Sequence, residues 1–151
     1  MSVKRDFPDL PPIWMLGFAT LAWVADAVLP LARFEGSAAR AVGAVAMIAG
    51  IGLAAWAALW FARKRTSIEP REEPSALIVE GPFRLNRNPI YTGMAVALVG
   101  WAVWLGSLGA LIAVLPFAPV IDRRFARGEE AALREAFGEE GERYIAATRR
   151  W

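Results

Sequence analysis

Two near-continuous apolar blocks, Ile13 to Leu31 and Ala41 to Phe61, constrain this chain more than any other feature. Each is close to the ~20 residues that an α-helix needs to cross a ~30 Å hydrocarbon core at ~1.5 Å per residue. A third block, Ile90 to Ile121, is too long for one ordinary crossing and carries Gly106, Ser107 and Gly109 near its middle. It reads as a tight helical hairpin with legs at 90–105 and 107–121, the second running on into charged sequence. With 56% hydrophobic residues and a mean hydropathy of +0.36, the chain exceeds the apolar share usual for a soluble domain. The expected architecture is all-α: one polytopic membrane helix bundle of about four transmembrane helices, followed by a cytoplasmic amphipathic helix.

Lysine and arginine set the expected orientation. The segment after the second block holds Arg63, Lys64, Arg65, Arg71, Arg84 and Arg87, and the C-terminal region holds Arg123, Arg124, Arg127, Arg134, Arg143, Arg149 and Arg150. Both should be cytoplasmic by the positive-inside rule. Lys4 and Arg5 place the N-terminus on the same side, and the short loop with Arg33 and Arg40 falls outside, as four crossings require. The formal net charge of +2 and the isoelectric point of about 9.5 are accounted for by this topology, with no nucleic acid as partner. The first block is too long for a signal peptide and lacks its small-residue cleavage pattern, so it is expected to remain in the mature protein.

The chain has no cysteine and no histidine. That removes disulfides, thiolate nucleophiles, zinc–thiolate sites, imidazole bases and histidine-held haem or di-iron centres. There is no internal repeat, and the blocks are too closely spaced to leave room for a separate soluble domain, so residues 1–151 read as one unit. In the second block Ala46, Gly50, Ala54 and Ala58 recur at every fourth position, a small-residue face suited to close helix packing. Asp26 lies inside the first block, toward its outer end, where it reaches headgroups or caps the helix. Pro116 and Pro119 are expected to kink the last crossing.

Chemistry is concentrated in two basic segments. In GPFRLNRNPIYTG, Gly81 to Gly93, Asn88 and Pro89 read as the N-cap and first residue of a helix. A helix start presents unpaired N–H groups and partial positive charge, and with Arg84 and Arg87 just upstream it suits a carboxylate or phosphate. The alternative is that these arginines only anchor the loop to the membrane surface. From Ile121 to Phe137 a further helix is expected, with Ile121, Phe125, Leu133 and Phe137 on one stripe. Glu129 lands in that stripe and Glu130 near its edge. The alternative for Glu129 is a surface pair with Arg124 or Arg127. Gly138 offers a break, followed by Tyr144 and Trp151.

Taken together, these segments resemble the integral membrane methyltransferases that include isoprenylcysteine carboxyl methyltransferase and the phospholipid N-methyltransferases. The family pattern is carried here by Thr66, Pro70, Leu77 to Val79, Gly81 to Arg84, Arg87 to Gly93, Glu129, Glu130, Leu133, Phe137, Gly138, Tyr144, Arg149 and Arg150. Order and spacing hold from Thr66 onward, over half the chain, whereas the first two blocks match only in hydropathy. The resemblance implies S-adenosyl-L-methionine as cofactor, bound at the cytoplasmic ends of the last helices, between segments 66–93 and 122–151, and partly enclosed by the C-terminal segment. Its contacts would be Ser75, Ala76, Leu77, Ile78, Phe83, Asn88, Pro89, Ile90, Tyr91 and Glu129, with Glu129 facing the cofactor's ammonium.

Arg87, Tyr91 and Glu130 are then the residues nearest the reaction, and Tyr91 or Glu130 is the candidate base should the acceptor be an amine. Two departures bear on the acceptor. Asn88 replaces the family's histidine, as in bacterial members, and Phe125 stands where prenylcysteine enzymes carry a substrate-contacting arginine; Gly141 also replaces an aromatic. What the resemblance implies is methyl transfer to a lipophilic or amphipathic acceptor drawn from the bilayer, in a bacterial cytoplasmic membrane. The alternatives are a phospholipid N-methyltransferase specifically, or a non-catalytic membrane scaffold retaining the fold.

Overall fold

The computed structural model describes residues 9–34, 36–68, 72 and 74–151. Lys4, Arg5, Pro70 and Arg71, which the sequence reading invoked, lie outside the described residues. Among the described residues six α-helices follow in order: α1 (Pro11–Val28), α2 (Ser37–Lys64), α3 (Pro89–Leu105), α4 (Leu108–Val114), α5 (Phe117–Ile121) and α6 (Arg127–Ala147). A 3-10 turn at Gly81–Arg84 precedes α3, and a π-helical turn at Asp122–Ala126 joins α5 to α6. No strand occurs among the described residues; Arg33 and Ser107 form an isolated antiparallel bridge.

The helices α1, of 18 residues, and α2, of 28, are long and apolar enough to cross a membrane, and α3 is an apolar helix of 17 residues. Their outward faces support that reading. Val28 is 73% exposed, Ile48 71% and Leu16 67%. Apolar side chains in this density along two helices have a hydrocarbon surrounding as their physical partner. The fourth limb is less regular than a single leg at 107–121: it is divided into α4 and α5 at Leu115 and Pro116, because proline removes a helical N–H and crowds the preceding turn.

Helices α2 and α3 pack on small residues. A Cβ on Gly93 would lie 2.5 Å from the Gly50 carbonyl oxygen and 2.8 Å from the Ala54 nitrogen; one on Gly43 would lie 2.6 Å from the Gly100 carbonyl oxygen. The expected stripe is therefore present at Ala46, Gly50 and Ala54, with Gly43 extending it and Gly93 and Gly100 as its antiparallel counterpart. Helix α1 closes the bundle against α3 through the Trp101 indole N–H, which donates to the Ala19 carbonyl at 3.1 Å. It meets α5 through Phe18 and Phe117, edge to face at 5.6 Å.

One end of the bundle is stapled by backbone. Phe34 N–H donates to Gly106 O at 2.9 Å, Leu108 N–H to Ala32 O at 2.9 Å and Gly109 N–H to Pro30 O at 3.0 Å. Gly106 takes φ of 83° to end α3, a conformation glycine adopts without penalty. Asp26 is paired there with Arg33 at 3.3 Å. The candidate chemistry gathers at the opposite end.

Candidate functional site

The turn that delivers α3 is ordered by burial and by side-chain hydrogen bonds. Pro82 and Phe83 are buried, with Phe83 edge to face against Phe61 at 5.6 Å. The Tyr144 hydroxyl of α6 donates to the Phe83 carbonyl at 2.9 Å, and burial pushes that phenol up to about 12. Pro89 opens the helix as expected, and Thr92 N–H donates to the Asn88 carbonyl at 2.9 Å. The Asn88 side chain does not cap, contrary to expectation: its Nδ2 donates to the Arg150 carbonyl at 3.1 Å. The buried Asn86 acts locally instead, its Oδ1 accepting from Asn88 N–H at 3.0 Å. An Asx turn before the helix and a tertiary partner for Asn88 have replaced the simple N-cap.

Two adjacent glutamates on α6 face that turn and meet different surroundings. The Tyr91 hydroxyl donates to Glu129. Burial pushes the Glu129 carboxyl above its ordinary range, with the neighbouring Glu130 charge acting the same way against the opposing effect of Tyr91. Glu130 is buried, 4% exposed. Arg150 reaches both its oxygens at 2.7 Å, and Arg87 donates to Oε1 at 2.8 and 3.1 Å. Hydrogen bonds from Arg150 and then Arg87 hold the Glu130 carboxyl at about 2, outweighing burial. Arg150 also pairs with Asp122 at 2.9 Å; Glu130 first, then Asp122, hold its guanidinium more firmly protonated than usual. Neither glutamate pairs with Arg124 or Arg127. Arg124 forks onto Asp9 at 2.9 and 2.8 Å, and Arg127 pairs with Asp122 at 2.8 Å.

Between the α3 start, residues 74–78 and α6 lies a cavity of about 630 Å³, within the range of small-molecule sites. Of the residues expected at a cofactor site, Ala76, Leu77, Ile78, Phe83, Asn88, Pro89, Ile90, Tyr91 and Glu129 line it, as do Arg87 and Glu130. Ser75 is not among the lining residues; it is exposed, and its N–H donates to Thr66 Oγ1 at 3.0 Å. Residues not expected at the cofactor site also contribute. Leu10, Pro11 and Pro12 bring the start of α1 to the rim, and Met94 and Phe125 supply apolar wall. For Met94 and Phe125 the helical spacing from Ile90 and Glu129 was an available signal; nothing local marks the α1 residues.

The arrangement offers one partly buried carboxylate with a phenol beside it, the positive end of a helix, and a largely apolar surround. That set suits a ligand carrying an ammonium and a carboxylate beside an apolar or aromatic body. A family model described as phospholipid methyltransferase matches residues 38–140. An uncharacterized protein of Haemophilus influenzae is 36% identical over 62 residues, 41% of this chain and 98% of that protein. No solved structure matches the chain.

Proposed function

Because the chain belongs to the phospholipid methyltransferase family, we propose that this membrane protein uses S-adenosylmethionine, held in the cavity beneath α6, to methylate a lipophilic or amphipathic acceptor entering from the bilayer. The observation that carries the reading is Glu129: a carboxylate lining an apolar cavity, bonded by Tyr91 and facing the positive start of α3. Glu129 would hold the cofactor's ammonium, the α3 start and Asn88 its carboxylate, and Leu77, Ile78 and Phe83 the adenosine. When bound, S-adenosylmethionine would supply a sulfonium methyl group to the acceptor's electron pair, with the carbon–sulfur pair returning to sulfur as a neutral thioether.

The protein's part is to position the reactants and exclude water, which needs no covalent nucleophile and so suits a chain without cysteine or histidine. Met94 and Phe125 keep the reacting region dry. A carboxylate acceptor needs no base, whereas an ammonium acceptor must first release a proton from nitrogen. Glu130 is poorly suited to take it, being committed to two guanidinium groups and ionised down to about pH 2. Tyr91, on Glu129, is the better-placed group. Arg87 and Glu130 then serve the site as an ion pair rather than by touching the acceptor. In the membrane we place four crossings, by α1, α2, α3 and the α4–α5 limb, with the cavity and both termini on the cytoplasmic side of a bacterial inner membrane.

The test is calorimetric titration of the purified protein in lipid nanodiscs with S-adenosylmethionine and S-adenosylhomocysteine, followed by mass spectrometry of lipid extracts incubated with methyl-deuterated cofactor. Binding of both, with a deuterated methyl group appearing in one lipid class, is the expected result. Absence of binding by either compound overturns the reading in favour of a membrane scaffold.

A further inference from the structure

The segment after α6 does not trail away from the molecule. Residues 145–150 lie along the α3 start and give up their carbonyl groups to it. Arg87 N–H donates to Arg149 O at 2.8 Å, Arg87 Nη1 to Ile145 O at 2.6 Å and also to Thr148 O, and Asn88 Nδ2 to Arg150 O at 3.1 Å. These bonds read backbone, so they hold the strap without selecting its side chains. The selective contact is the Arg150 guanidinium, which bridges Glu130 and Asp122 from the far side. Asp122 begins the π-helical turn and Glu130 lies in the first turn of α6, so one side chain ties the strap to both sides of the place where the helical register shifts.

Two cavity-lining groups depend on this tie. Glu129 directly precedes Glu130, which is held between Arg87 and Arg150. Asn88 has its amide fixed by the Arg150 carbonyl. Resting on the reading of the cavity as the cofactor site, we propose that Arg150 is a positioning residue: its bridge locks residues 148–150 across the α3 start and thereby retains the cofactor against Glu129 and Asn88.

The experiment compares the parent protein, Arg150→Ala, Arg150→Lys and Arg134→Ala in nanodiscs. Among the described residues Arg134 pairs with Glu142 on the exposed face of α6, so its variant removes an ion pair without touching the strap. Two quantities are read: the dissociation rate of S-adenosylmethionine, and amide hydrogen exchange over residues 83–90 and 127–133 in the ligand-free protein. Arg150→Ala leaves the buried Glu130 carboxylate without the fork that reaches both its oxygens and frees the strap, so it should release the cofactor about tenfold faster or more, with faster exchange in both segments. Lysine keeps the charge but has no fork to span Glu130 and Asp122, so Arg150→Lys should fall between, about threefold faster than the parent. Arg134→Ala should match the parent.

A folded Arg150→Ala protein with parental dissociation overturns the proposal, even where its exchange has increased, because the strap would then be structural only. Should that variant fail to fold, parental dissociation in Arg150→Lys overturns it equally. A parent that binds neither S-adenosylmethionine nor its demethylated product overturns the cofactor reading itself, a result distinct from a parent that binds and an Arg150 variant that binds the same.

Discussion

Glu129 and Glu130 carry the same side chain one residue apart, yet burial raises one carboxyl and paired guanidiniums lower the other. A carboxyl raised in the native state keeps its proton after the unfolded chain has lost its own, so Glu129 costs stability as pH rises from about 4.5 through its raised value. Pairing with an ammonium requires the ionised form. Cofactor binding should therefore release a proton, and affinity should rise with pH across that window. Calorimetry in two buffers of different ionisation enthalpy measures this release, and Glu129→Gln should abolish it while weakening binding more than about tenfold. A buffer-independent enthalpy throughout the window would contradict the assignment. Glu130 has the opposite sign: its contribution is present above about 4.5 and is lost as pH falls toward about 2. Replacing it by Gln leaves Arg87 without its buried counter-ion and should cost about 3–5 kcal/mol, read from denaturation in nanodiscs.

Small residues are what allow α2 and α3 to approach. Membrane helices gain little from hydrophobic exclusion of one another, so close backbone approach and dispersion decide which faces meet. Gly93→Ala places a methyl group where the Gly50 carbonyl and the Ala54 nitrogen already are. It should lower stability by about 1–3 kcal/mol. Gly52→Ala, on the same helix as Gly50 but with open space around its Cβ, should be neutral or gain about 1 kcal/mol from helix propensity. Thermal unfolding of both variants in one detergent decides the matter, and equal effects would remove the packing argument. Two other elements depend on single backbone positions. The π-helical turn at Asp122–Ala126 inserts one residue into the helical ladder. Gly138, at φ of 52° and ψ of −125°, breaks α6 so that Tyr144 returns to Phe83.

For the whole molecule the orientation is the sharpest test, and the absence of cysteine makes it practical. Ser75→Cys should react with an impermeant maleimide only when the cytoplasmic face is open, whereas Ser37→Cys, at the stapled end, should react in intact cells. Labelling of Ser75→Cys from outside would reject the four-crossing arrangement. Much of this architecture was already legible in the chain. The lengths of the apolar blocks determined that helices pack within hydrocarbon, since only a span of that length with its backbone bonds satisfied internally is stable there. Local chemistry at Pro89, Gly106 and Gly138 marked an α3 start, an α3 end and a break in α6, because φ preferences act within one or two residues. The family resemblance carried by Arg87 to Gly93 and by the Glu129-Glu130 pair pointed to the candidate site, which spacing alone left open. What tertiary structure decided is how those residues are used. Asn88 gave its amide to a carbonyl 62 residues away rather than to its own helix, and Arg150 found Glu130 and Asp122. Contacts closing such long loops follow from how the helices dock, and no local periodicity encodes them.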